Sequence, residues 1–599
     1  MSTNYEDELQ SILPDFVGLV RSPTPISLPP QILLGAITHF LSRLRGQSLQ
    51  RFCLSLMESE SLWNIPNISC SEVRDAIRLS VLSLVTVLEE KDVSFKAWRM
   101  SRMARQWLED VVKATSCVSL GIGKAHFLVG LIQGFDNVDA SAINWGNSRI
   151  KVEEFVVLDL AKCMEMEQDK ISSILFEALP YVDLARLRTL DVLKLIEGIE
   201  CHLYDEINPD RPKEDLDSSS DADGLGRALS RAFKVLASGG PSSRLHALES
   251  MQRFCSRMRA TGERLEMRQQ NCQDGQISEI PQDLSFNINQ NDRMTFSVLL
   301  IPTFTIVETL QDVQSHETAS FAIELVTQIL ISLASFAFLG DSNVDDYELY
   351  YRVLYGCLDF ISERGDVHTS ENLFSTLKYQ RMTNARSAYI LLLGDELIHQ
   401  LGNRSIGLLL PLAEKHAHRP EHQHSFDAAH ALFLTLLKSS SEGLQTDNPQ
   451  AAFFDCLLPN YLKILIKQAN SDNITSDQLI QALPQIASYA SARNFASVSM
   501  CLHHLSALPS SLATHIIEIR VAPYIATHQL PIYLERIAES IMSFQQDSEE
   551  RLKLMSEAFK MVSQDLRDDL KVLGAQWWLK WKDEFEGKQG KFGFWRSRL

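Results

Sequence analysis

Glycine and proline are scarce in this chain. Its 599 residues hold 26 glycines and 20 prolines, below average usage, which excludes collagen-like and low-complexity sequences and leaves most of the chain able to fold. Hairpin signals are missing as well: no sustained period-two alternation is bounded by Asn-Gly or Asp-Gly turns, and no β-α-β rhythm can be traced. Ten cysteines, at 53, 70, 117, 163, 201, 255, 272, 357, 456 and 501, include no Cys-x-x-Cys pair. They read as reduced thiols buried in helices rather than a disulfide framework. The first ten residues lack the basic start and apolar stretch of a secretory signal and the Arg/Ser-rich look of a mitochondrial presequence. No uncharged run reaches the ~20 residues needed to span a bilayer. The nearest, Leu325 to Gly340, reads as a buried core helix.

Positive charge is also in deficit. Against 76 Asp and Glu stand 57 Lys and Arg, a net charge of −19, which repels a phosphate backbone unless the cations are locally concentrated. They are so only in residues 587 to 599, where Lys588, Lys591, Arg596 and Arg598 have no acid among them. That patch is too small for nucleic acid. The signatures of catalysis are absent: no Gly-x-Ser-x-Gly elbow and no His-Glu-x-x-His occur, so no enzyme, no cofactor, no metal and no small-molecule substrate are expected.

Three stretches invite chemistry and meet a plainer account. Gly121-x-Gly123-Lys124 departs from a phosphate loop, which needs glycine where Val118 stands and Ser or Thr where Ala125 stands. His416, His418, His422, His424 and His430, with Glu414 and Glu421, straddle Arg419-Pro420 and are expected as a solvated interhelix loop rather than a zinc site. Trp577 continues an apolar stripe and belongs to the core, while Trp578 and Trp581 are the candidates for an exposed surface.

What remains is helical periodicity. After Pro29 and Pro30, Leu33, Ile37, Phe40, Leu41 and Leu44 share a face. Ser69 and Glu72 form a capping box before Val73, Ile77, Val81, Leu84 and Leu88. Leu552, Met555, Phe559, Val562, Leu566, Leu570, Leu573 and Trp577 step by three or four as one amphipathic helix. The spacing predicts an all-α fold, an elongated array of the irregular α-solenoid kind (HEAT- or armadillo-like) with no fixed period. Its expected parts are an N-terminal block (1–203), an acidic disordered linker (204–226), a helical segment (227–265), an irregular Gln/Asn-rich linker (266–293), a C-terminal block (294–586) and a flexible basic tail (587–599).

The tail closes on Ser597-Arg598-Leu599, which matches a peroxisomal address with Arg in the place of Lys. Such a signal is captured through a terminal carboxylate, with a small pocket for Ser, a wet or acidic rim for the cation and an apolar pocket for Leu. With that ending, the chain resembles the fungal intraperoxisomal import peroxin family, peroxin eight. The similar stretches are "LGAITHFLSRLRGQSLQRFCLSLMESESLWNIP" (34–66), "HFLVGLIQGFD" (126–136), "SFDAAHALFLTLL" (425–437), and the closing run from "LPIYLERIAESI" to "LGAQWWLKWKDEF" (530–585). The resemblance implies a helical scaffold, peripheral on the lumenal face of the peroxisomal membrane. Its implied partners are the targeting-signal receptor, the receptor-docking complex and the RING ubiquitin-ligase peroxins, and cargo release is an implied further role. Some members carry a second, nonapeptide signal; here Lys194-Leu195 and His202-Leu203 stand one spacer too far apart for it. The rival expectations are an all-α peroxisomal matrix enzyme handling acyl-CoA, and a cytosolic helical adaptor whose ending is coincidental.

Overall fold

The computed structural model describes residues 2–22, 28–65, 68–90, 96–138, 143–208, 219–273, 282–311, 316–339, 348–378, 383–442 and 451–586. Among these the chain is all α, with twenty-six α-helices, short 3-10 turns and no strand. It divides into two compact units, 1–339 with 345–357 and 340–344 with 358–599.

The first unit holds α1 (Ser2–Arg21), α2 (Pro30–Arg43), α3 (Gly46–Glu58), α4 (Cys70–Glu90), α5 (Lys96–Ser116), α6 (Ile122–Asp136), α7 (Asn147–Met166), α8 (Asp169–Phe176), α9 (Leu184–Leu187), α10 (Val192–Glu206), α11 (Ser219–Ala237), α12 (Pro241–Gln273), α13 (Gln282–Gln311) and α14 (His316–Ala334). It also takes in α15 (Glu348–Arg364) through Cys357. The second holds α16 (Val367–Lys378), α17 (Asn384–Glu396), α18 (Asn403–Ala417), α19 (Gln423–Glu442), α20 (Ala451–Asn470), α21 (Ser476–Arg493), α22 (Phe495–Leu505), α23 (Leu512–Val521), α24 (Leu530–Met542), α25 (Glu549–Lys560) and α26 (Asp568–Phe585).

Helices pack on the next but one. In the first unit α2, α4, α6 and α8 form one row and α1, α3, α5 and α7 another, and α11 on α13 and α12 on α14 continue the scheme. In the second, α17, α19, α21, α23 and α25 make one row, with α16 on α18, α20 on α22 and α24 on α26 in the other. Two rows arise because a helix pair leaves an apolar face that only the next pair can cover. This is the all-α, irregular solenoid expected from the sequence. The local signals act as read. Pro30 opens α2, whose Leu33, Ile37 and Phe40 are buried, and the Ser69 hydroxyl accepts from Glu72 N–H while Glu72 accepts from Ser69 N–H. The apolar run at 325–334 is a buried part of α14. The longer apolar segment is elsewhere: among the described residues, 291–311 in α13 is long and apolar enough to cross a membrane, and more than half of it is buried.

Several boundaries move. Residues 219–226 belong to α11, not to a linker, because Ala222, Leu225 and Leu229 carry a buried stripe through the acidic composition. The 266–293 stretch is helical at both described ends, since Gln is a good helix former and Asn is tolerated. Residues 209–218 and 274–281 lie outside the described residues. The 227–265 segment does not hang free: α11 packs on α10 and α13, and Phe233 and Phe254 are in the core. The single helix expected over 552–577 is two. Met561–Asp565 form a π turn, Leu566 is extended and donates its N–H to Met561 O at 2.9 Å, and α26 starts afresh with Asp568 and Asp569 in its first turn, where acids suit the helix dipole. Of the cysteines, 53, 163, 255, 357 and 501 are buried as expected, but 117, 201 and 456 are exposed.

Candidate functional site

The expected address, Ser597, Arg598 and Leu599, lies outside the described residues. The stretch nearest to a second address sits on α10 with Leu195 and Leu203 fully buried, so neither aliphatic side chain is offered to a receptor.

The Gly-x-Gly-Lys stretch opens α6 and is a packing device. A Cβ on Gly123 would stand 2.3 Å from Met57 O and 2.6 Å from Trp63 Nε1. Lys124 is buried with Nζ 2.7 Å from Asp159 Oδ2 of α7. His126 stacks on Trp63 with centroids 5.0 Å apart, and burial, aided by Arg74, pushes its pKa down to about 3. Arg74 in turn pairs with buried Glu177. The sequence reading missed this buried charge, because each partner lies dozens of residues from the other.

The histidine run is not one solvated loop. The connection between α18 and α19 covers only 418–422. His416 is buried, its Nδ1 2.9 Å from Ser425 Oγ, and His430 Nδ1 is 3.1 Å from Tyr461 Oη. Burial pushes both rings down to about 4, aided at His416 by Lys415, Arg419 and His422 and at His430 by His418. Among the described residues no three His, Cys, Asp or Glu side chains gather as metal ligands. Trp577 is core, as expected, whereas Trp578 and Trp581 are only partly exposed and pack against that core. Trp581 donates to Glu535 Oε1 at 3.3 Å, and Lys580 lies over its ring.

The structure assembles a groove in the first unit that no sequence motif announced. Gly226 makes it possible, for a Cβ there would meet Val298 O at 3.0 Å. With α11 and α13 so close, Arg227 and Arg231 of α11 and Ile301, Phe304 and Thr305 of α13 line one open cavity of about 300 Å³. Pro180 and Tyr181, from the turn after α8, join them, with Asp136 at the end of α6 and Leu349 of α15. Arg227 pairs with Asp223 at 2.8 Å, yet its side chain stays 53% exposed. Arg231 donates through Nη2 to Val182 O, and its buried Nε has no partner among the described residues. Burial holds the Tyr181 phenol above its ordinary value against the pull of Arg227. The adjacent Ser230 hydroxyl donates to Gly226 O at 3.0 Å, so it is not poised on a base.

No protein-family model matches this chain, and no curated protein does. Among solved structures, it is similar to a "circular tandem repeat protein with novel repeat topology and enhanced subunit contact surfaces". That chain is 12% identical over 93% of this one and 97% of its own length, at a TM-score of 0.20, a likeness too slight to bear on fold or role.

Proposed function

We propose that this chain is a non-enzymatic scaffold of peroxisomal matrix protein import. It sits on the lumenal face of the peroxisomal membrane, joins the receptor-docking complex to the RING ubiquitin-ligase complex, and helps the targeting-signal receptor release cargo. One observation carries the reading: Ser597-Arg598-Leu599, a small residue, a cation and an aliphatic residue in the order that a carboxylate-capturing receptor takes. Two rows of helices add support, since such arrays offer broad surfaces to several partners.

The reading requires Leu599 to be presented with a free carboxylate. An amino-terminally tagged fluorescent fusion is expected to be punctate and to become diffuse when Leu599 is deleted; puncta that survive the deletion exclude the address. The scaffold role is checked by carbonate extraction and by proximity labelling from the organelle lumen. Release by carbonate and labelling of docking and ligase components are expected. Labelling of metabolic enzymes alone, with flavin bands in the absorbance of the purified protein, would favour a matrix enzyme instead.

A further inference from the structure

We propose that the outer face of the α25–α26 pair docks the chain's own tail, residues 587–599, through Phe592, Phe594 and Trp595. The inference concerns where the tail rests and does not depend on its reading as an address.

The last described helix pair is not closed by polar residues. A helical array turns a polar face outward at its terminal pair, because no further pair covers it. Here Val572 and Leu579, two turns apart on one side of α26, are 66% and 72% exposed. On α25, Leu552 and Phe559 have the same spacing, and each is more than half exposed. Trp578 joins the two helices: its ring lies 5.3 Å from that of Phe559, and with Met555 it packs on the core beneath. Leu579 follows Trp578 on α26, so the exposed side chains form one apolar surface over both helices. A surface of this kind marks a docking site rather than the normal scatter of single apolar residues.

Position and charge choose the tail as its occupant. The Glu584 carbonyl accepts from Arg551 Nη2 at 2.8 Å, so the chain leaves α26 beside the first turn of α25, where Leu552 stands. Phe592 is six residues beyond Glu586, a reach of up to about 20 Å, and Val572 lies about 20 Å back along α26 from its end. The aromatic residues of the tail therefore reach the whole face, and in an extended segment Phe592 and Phe594 point to the same side. The tail carries Lys588, Lys591, Arg596 and Arg598 and no acid. Exposed acids gather where it departs: Asp547, Glu549 and Glu550 at the start of α25, and Asp583 and Glu584 at the end of α26. They outnumber the exposed cations beside them, Lys553 and Lys582, and Lys582 lies 3.9 Å from Glu586. Arg551 is buried and directed at Glu584 O, Phe544 O and Met542 Sδ. A short tether presents the tail at an effective concentration of about millimolar, which a second copy of the chain in dilute solution does not match.

The test uses the full chain with the photo-crosslinker p-benzoylphenylalanine in place of Phe594, prepared as a mixture of isotopically light and heavy copies. Crosslinks within one copy, to Leu552–Phe559 of α25 and Val572–Leu579 of α26, are expected. Leu552→Lys with Leu579→Lys, both at exposed positions, is expected to remove them while the thermal melt is retained. In a second measurement, the full chain carrying Phe592→Ser, Phe594→Ser and Trp595→Ser is titrated with a fluorescent peptide of residues 587–599. With its own tail released, it is expected to bind the peptide at least about tenfold more tightly than the unaltered chain, whose face is occupied. Crosslinks that join light to heavy copies would assign the face to a second copy and overturn the proposal. So would crosslinks confined to other helices, or a peptide that binds both chains alike or neither.

Discussion

Lys124 and Asp159 show what a single residue pair does in this fold. Both are buried, and their charges approach to 2.7 Å. Removing one partner of such a pair strands the other in a poor solvent and typically costs about 3–5 kcal/mol, whereas replacing both by apolar groups is close to neutral. Lys124→Ala is therefore expected to lower first-unit stability by about that amount in urea titrations, and Lys124→Met with Asp159→Leu to recover most of it. From sequence, Lys124 was legible only as the lysine of a failed phosphate loop; nothing local points to a partner on the next helix. Buried His416 and partly buried His430 behave oppositely, being held without charge. Their folded pKa of about 4 lies below the ordinary 6.5, so protonation favours the unfolded chain. Their contribution is intact above pH 6.5 and is lost as pH falls from there toward 4. Circular-dichroism melts at pH 7, 5.5 and 4.5 should show the loss, and His430→Phe, which also removes the bond to Tyr461, should flatten it. A pH slope unchanged in that variant would assign the loss to other groups.

At the scale of the element, helix existence was legible and helix ends were not. Periodicity reports which face is apolar, and Leu33, Ile37, Val73, Val81 and Leu84 are buried where it placed them. Periodicity does not report a reversal, because Leu566 and Leu570 stay apolar on both sides of the break and keep the count running. Close approach between rows was also hidden. On α6 a Cβ at Gly130 would meet Arg74 O at 2.9 Å and Ile77 Cβ at 3.0 Å, so α6 and α4 lie against each other with no room for a methyl group. Gly35, inside α2, has open space around it. The same substitution thus has opposite signs at the two sites. Gly130→Ala is expected to cost about 1–3 kcal/mol through overpacking, and Gly35→Ala to add up to about 1 kcal/mol through helix propensity. Chemical denaturation of the two variants decides it, and equal shifts in one direction would show that row spacing does not control stability here.

For the whole molecule, the proposed tail address and the groove mark the two limits of what a sequence shows. The tripeptide Ser597-Arg598-Leu599 could be singled out because a linear motif needs no fold to align it. The groove is illegible because its lining is gathered from positions as far apart as Asp136 and Leu349. The division into units fell at neither composition-marked joint: the acidic stretch before α11 and the Gln/Asn-rich stretch before α13 both lie inside the first unit, and the division comes near 340–357. Each unit buries its own core, Phe127, Phe233 and Phe254 in one and Leu483, Ile537 and Leu554 in the other, and arrays of this kind are stabilised mainly by nearest neighbours. Calorimetry of the full chain is therefore expected to resolve more than one transition. Lys124→Ala should lower only the transition of the first unit, whereas acidification through the histidine range should lower both, through His126 in the first unit and through His416 and the partly buried His430 in the second. A single transition moved by both perturbations to the same extent would mean that the two cores melt as one.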